Sequence, residues 1–207
     1  MPITSVEKNL DDLTITIVAD FAAPLARLGD AYADPRQIER FWGPPTYPAT
    51  FVRHDVAVGG RSVYRMTGPE GDEHYGCWEW TGVNAPHSFE VVDWFADATG
   101  APNTDLPGTH VTFAFEPTDS GSRLTTTSRF DSLEQLEQLL AMQMLEGTKE
   151  AMSQIDAVLA DLAAFASDRA AEAQILSDTQ VRVARVLRGS LDQVWRVREA
   201  DTGRPRP

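Results

Sequence analysis

The groups in this chain that could move a proton or hold a metal are scattered. His54, His74, His87 and His110 are its histidines, and no two of them are four apart on a helix, the spacing that puts a ligand pair on one face. No metal site is expected. His74 and His87 border turn residues, where a solvated imidazole is the plain expectation. His54 and Asp55 are neighbours in a strand pattern, so their side chains point to opposite faces and make no dyad. An acid–base site would need an inward carboxylate or imidazole with a shifted pKa. Glu79, Asp93 and Arg65 are the charged strand residues to weigh. Alternation with Trp78 and Trp80 turns Glu79 outward, which leaves Asp93 and Arg65. Nucleophile elbows, phosphate loops and dinucleotide fingerprints are absent. No catalytic residue is assigned, no cofactor is expected, and the reading leans away from an enzyme.

Large apolar side chains are more telling. Tyr64, Met66, Trp78, Trp80, Trp94, Phe113, Met142 and Met144 are the candidate lining of an apolar cavity, the usual form of a small-molecule site, with methionine suited to irregular shapes. Trp78 and Trp80 share strand parity and face the same way. The competing reading is that these residues simply fill the core. Trp42, beside Gly43-Pro44-Pro45, fits a plug at one end of the sheet.

Elements of the right kind surround these residues. Leu13, Ile15, Ile17, Ala19 and Phe21 alternate with polar neighbours in a first strand. Pro24 suits the start of a helix to Ala33. Asp34-Pro35-Arg36-Gln37 opens a second helix with Asp34 as cap, and Gly43-Pro44 ends it. Six further strands follow: Thr50 to Val58, Arg61 to Thr67, His74 to Val83, Ser88 to Phe95, the alternating Val111-Phe113-Phe115, and Arg123 to Phe130. Ser132 and Gln135 make a capping box for a long helix from Ser132 to Phe165. Leu133, Leu136, Leu140, Met144, Met152, Ile155, Leu159 and Leu162 form its apolar stripe. Gly147 within that helix calls for a reason: close approach to the sheet, a bend, or a ligand passing over it. The expected architecture is α+β, a curved antiparallel sheet of six to seven strands gripping one long helix and enclosing a pocket.

The 207 residues carry 18 basic and 31 acidic side chains, a net charge of −13. So acidic a chain excludes a nucleic acid as main partner, because a polyanion needs clustered cations. Cys77 is the one cysteine, which excludes an internal disulfide and leaves a small buried thiol. No stretch reaches the roughly 20 apolar residues of a membrane span, and no leader is visible at Met1-Pro2-Ile3-Thr4. A cytoplasmic protein is expected, with a homodimer as an open option.

The chain also repeats its own beginning. Val181, Val183, Leu187, Leu191 and Val194 match Ile15, Ile17, Phe21, Leu25 and Leu28 apolar for apolar. The expected organisation is a complete domain over 1–166, a linker over 167–178 continuing the helix, and a truncated, mobile start of a second copy over 179–207.

The order strand, two helices, six strands, long helix resembles the SRPBCC superfamily (START/Bet v 1-like, helix-grip fold), and within it the family related to the activator of Hsp90 ATPase. The resemblance runs from about Leu13 to Leu162. Asp34-Pro35, Phe41-Trp42-Gly43-Pro44 and Asp55-Val56-Ala57-Val58-Gly59-Gly60 carry its first half. Gly76-Cys77-Trp78-Glu79, Phe95-Ala96-Asp97, Gly100-Ala101-Pro102-Asn103, Val111-Thr112-Phe113 and Glu146-Gly147-Thr148-Lys149-Glu150-Ala151, with Gln154 to Leu159, carry its second. Similar proteins include lipid and hormone carriers, polyketide cyclases, small hydrolases and co-chaperones. With an apolar pocket expected and no catalytic constellation, the favoured reading is a START-like binding protein for a hydrophobic or aromatic small molecule. The alternatives are a cyclase- or hydrolase-like enzyme in the same pocket, or a chaperone-accessory interaction protein. Gln143 departs from the small residue common between the two methionines, and its size is expected to narrow one end of the cavity.

Overall fold

The computed structural model describes residues 2–161 throughout and, beyond them, the backbone of 172–177 and 180–184. Two compact units divide at Ala160 and Asp161. The first unit opens with β1 (Ile3–Asn9) and β2 (Thr14–Phe21), then α1 (Leu25–Ala33) and α2 (Pro35–Ile38). The meander follows as β3 (Ala49–His54), β4 (Arg61–Thr67), β5 (Glu73–Asn84), β6 (Ser88–Ala96), β7 (Thr109–Thr118) and β8 (Gly121–Arg129). Three helical pieces close it: α3 (Leu133–Ala141), α4 (Met144–Ser153) and α5 (Ile155–Ala160).

All eight strands form one antiparallel sheet in the order β1-β2-β8-β7-β6-β5-β4-β3. It is an α+β helix-grip arrangement with one strand more than the pattern predicts. The extra strand, β1, is an exposed edge without apolar alternation, which is why periodicity does not reveal it. In β2 the alternation is complete: Ile15, Ile17, Ala19 and Phe21 are buried. They share one core with Phe51, Tyr64, Trp78, Trp80, Phe89, Phe113, Phe115 and Leu124 from the sheet, and Leu136, Leu139, Leu145, Ile155 and Val158 from the helices.

The closing helix corrects the predicted stripe. Gln143 takes a left-handed conformation (φ 61) and breaks the helix between α3 and α4. That break rephases the buried face from Leu136 and Leu139 to Leu145 and Met152, leaving Leu133 and Met142 exposed and Leu140 and Met144 half-buried. Ser132 does cap α3, accepting from the Gln135 amide at 3.1 Å, while the Gln135 side chain accepts from Asp131 N at 2.7 Å. Arg27 ties α1 to the end of this layer. It is 2% exposed and donates Nη2 to Gln37 Oε1 (2.9 Å) and to the Val158 carbonyl (2.6 Å). Gln154 adds a bond to the Gly43 carbonyl at 2.8 Å.

Gly147 does not touch the sheet: a Cβ there would meet nothing within 4 Å. Close approach is not the reason for it. Gly147→Ala is therefore expected to stabilise the domain by about 0.5–1 kcal/mol, the helical preference of alanine over glycine. Chemical denaturation checks this, and an unchanged or lowered midpoint would contradict it.

In the second unit β9 (Glu172–Ser177) pairs with β10 (Gln180–Ala184) as an antiparallel hairpin. Residues 172–177 are thus strand, not a helical linker. The rest of the expected second copy, including Leu187, Leu191 and Val194, lies outside the described residues.

Candidate functional site

Four polar tips converge on the inner face of the sheet. Tyr64 on β4 is 7% exposed and donates its hydroxyl to Asp93 Oδ1 on β6 at 3.1 Å. Trp78 on β5 lies between these strands, paired with Asp93 and with Ser62 in the strand register, and is fully buried. Trp42, from the turn after α2, stands edge-on to it, with ring centroids 4.6 Å apart and planes at 89°, and 6.1 Å from Tyr64. Both indole nitrogens are shut off from solvent. Trp78 Nε1 lies near the Asp93 carboxyl and Trp42 Nε1 near the Tyr64 oxygen, and each favours the ionised form of its neighbour. Gly76 makes the Tyr64 position available, since a Cβ there would strike the phenol ring.

Asp93 belongs on this face because it shares parity with the buried Phe89 and Val91. The residue keeps some exposure, but burial of its carboxyl dominates and pushes the pKa up to about 7, only partly offset by Tyr64 and Trp78. Tyr64 is raised well above the ordinary phenol value, first by burial and then by the Asp93 charge. The spot therefore holds a carboxyl poised near neutrality inside an aromatic wall of Phe51, Trp42, Trp78 and Phe113.

A second polar cluster lies deeper. A bulge in β3 between Phe51 and Arg53 leaves Val52 unpaired and 68% exposed, and turns His54 to the same face as Phe51. Its Nε2 is 3.0 Å from the Tyr32 carbonyl, which only accepts, so Nε2 carries the proton. Nδ1, 2.9 Å from Ser62 Oγ, then accepts from that hydroxyl, and Ser62 in turn accepts from Trp80 Nε1 at 2.8 Å. Burial lowers the His54 pKa. Ser62 is completely buried, so this chain of bonds is structural. The bulge is what strand alternation could not foresee.

Of the eight residues singled out in the sequence, the structure gathers Tyr64, Trp78, Trp80 and Phe113 into the buried cluster. Met66 and Met144 pack against it half-buried. Met142 is 53% exposed at the end of α3. Trp94, one residue beyond Asp93, is on the outer face under Gly108, whose Cβ would meet its indole. Arg65 faces outward to Glu73 at 3.0 Å, and Glu79 faces outward beside Arg61. Trp42, which the sequence places as a plug, joins the aromatic cluster itself. Its signal was the run Phe41-Trp42-Gly43, where Gly43 (φ 88) turns the chain back over the sheet.

Among the described residues no three His, Cys, Asp or Glu side chains gather in a way that could hold a metal. No helix there is long and apolar enough to cross a membrane. The outer face carries an open groove of about 220 Å³ beside Glu90, His110, Thr112 and Arg129, on the side of the sheet opposite Tyr64 and Asp93.

The family model described as "Activator of Hsp90 ATPase homolog 1-like protein" matches residues 22–160. A crystal structure of a protein from Mycobacterium smegmatis is 49% identical, with TM-score 0.72, the match covering 77% of this chain and 98% of that one. A solution structure from Arthrobacter aurescens is 46% identical, with TM-score 0.73, over 76% of this chain and 92% of that one. A protein from Silicibacter pomeroyi titled AHSA1 shares the fold at 21% identity, with TM-score 0.58, over 71% of this chain and 97% of that one. Among curated proteins none matches.

Proposed function

This chain belongs to the family of activator of Hsp90 ATPase homolog 1-like proteins, and from that premise we propose that it binds an apolar or aromatic small molecule between the inner face of the sheet and the closing helices. One observation carries the reading. The aromatic wall is interrupted where Tyr64, Asp93, Trp42 and Trp78 bring their polar atoms together. An apolar surface with a few convergent polar groups is the form of a ligand site, and a core built for stability alone gains nothing from a carboxyl there. Tyr64, Met66, Trp78, Trp80, Phe113 and Met144 remain the proposed lining, with Trp42 and Asp93 added. Trp94 and Met142 lie too far to the outside to contribute.

Acid–base chemistry in the same place is a second reading, favoured by the Asp93 pKa of about 7. The third, a chaperone accessory working through the outer sheet face, has no comparable feature in its support. A thermal-shift screen of lipids, aromatics and polyketides, with native mass spectrometry of unextracted protein, tests the binding reading. A retained adduct, or a compound raising Tm by several degrees and losing that effect in Tyr64→Phe, is expected. If no compound shifts the transition and no adduct is seen, the binding reading is wrong. The same spectra report whether a homodimer forms. The expectation of a second, shorter copy is supported by β9–β10, an antiparallel hairpin whose second strand aligns with β2, as β1–β2 opens the first.

A further inference from the structure

Apart from the apolar site, we infer that the groove on the outer face of the sheet binds a short free peptide of about three residues as a zwitterion, its ammonium against Glu90 and its carboxylate against Arg129. The groove crosses the sheet from Thr81 on β5 to Thr14 on β2. Its floor is main chain at Val91 and Val111, whose side chains are in the core. Thr112 and Thr127, small and hydroxyl-bearing, stand opposite each other in its middle. Longer side chains stand at its two sides: Glu90 on one, Arg129 with His110 opposite it on the other.

The charges at the two sides are left over. Among the described residues neither the Glu90 carboxylate nor the Arg129 guanidinium makes a hydrogen bond or ion pair, whereas Arg123 on the same strand is held by Asp20. They cannot pair with each other. Glu90 faces Thr112 and Thr112 faces Thr127, so two strand spacings and one step along the strand part Glu90 from Arg129, about 11–12 Å at the backbone. Glu90 also leans the other way, its carboxyl carbon 2.9 Å from where a Cβ on Gly82 would stand. A ligand that satisfies both must carry a cation and an anion roughly 10 Å apart, the span of about three extended residues. Its amides would lie over Thr112 and Thr127, whose hydroxyls both donate and accept. A lone anion meets Glu90 and a chain of net charge −13, and a lone cation meets Arg129. The lining has no phenyl, phenol or indole ring for a sugar or base to stack on. A volume of about 220 Å³ is also below the roughly 300–1,000 Å³ of a drug-sized pocket.

Trialanine titrated into the ¹⁵N-labelled full chain at low salt tests this, with alanine, N-acetyl-trialanine and trialanine amide as comparisons. Trialanine is expected to bind in the millimolar range, as two exposed ion pairs allow, and to move the amide signals of Gly82, Thr112 and Thr127. Removing either terminal charge should weaken binding roughly twofold to fivefold, and alanine, too short to reach both sides, should lose at least as much. In E90Q the acetylated and free peptides should bind alike; in R129Q the amide and the free acid should. Both side chains are exposed, so both variants are expected to fold. Blocked peptides that bind the native protein as well as trialanine does, or groove signals that stay still, overturn the inference. Either result leaves the apolar-binding reading untouched, because that site is on the other face of the sheet.

Discussion

Arg27→Ala is expected to lower the stability of the first unit by about 3–5 kcal/mol, the largest single loss anticipated outside the aromatic cluster. The guanidinium is buried and supplies two bonds at once, one to the Gln37 side chain and one to the Val158 carbonyl near the end of α5. Hydrogen bonds from a charged group contribute about 1.5–3 kcal/mol each. Truncation also leaves a void and strands both acceptors away from water. The carbonyls at the end of a helix have no partner within it, so α5 draws on this side chain from a helix 131 residues earlier in the chain. Arg27→Met restores volume but no donor, and should recover only the packing part of the loss. Urea denaturation of both variants decides the matter. A loss below 1 kcal/mol in Arg27→Ala would show that the Val158 bond carries no weight.

Asp93→Asn should do the opposite and stabilise the protein, by about 2–4 kcal/mol at pH 8. The ordinary carboxylate value is 3.8 and the folded value about 7, and each unit of difference is worth about 1.4 kcal/mol. Between these two values the folded state holds a proton that the unfolded chain has released. The native state therefore loses stability as pH rises through that window, and the whole penalty is present above it. Asparagine cannot ionise, yet its oxygen still accepts from Tyr64. Its advantage should vanish near pH 4 and grow to a plateau above pH 7. Denaturation midpoints of both proteins across that range provide the check, and a gain independent of pH would mean the carboxyl is solvated in the fold. A carboxyl that weakens its own protein at neutral pH is the kind of group kept for what it does to a ligand.

Much of this architecture was legible from side-chain period. The alternation of β2, the Asp34 and Ser132 caps and the turn residues between strands locate the meander and the helices, because these depend on local chemistry. What escaped depends on backbone irregularities that period does not record. The bulge at Val52 reverses the facing of His54. The left-handed Gln143 shifts the buried face from Leu140 and Met144 to Leu139 and Leu145, although the same residue stood out in the sequence for its size. β1 has no apolar rhythm, since its central residues are exposed. At the site, parity correctly turns Glu79 out and leaves Asp93 in, and the same parity sends Trp94 away from it. The tie between Tyr64 and Asp93 links residues 29 apart in the chain, a pairing set only by strand register.

His54 has a chemical consequence of its own. With Nε2–H spent on Tyr32 and Nδ1 filled by the Ser62 hydroxyl, the ring offers no lone pair to an electrophile. Diethyl pyrocarbonate should acylate the exposed imidazoles of His74, His87 and His110 and pass His54 by until the fold opens, which makes this one ring a built-in reporter of unfolding.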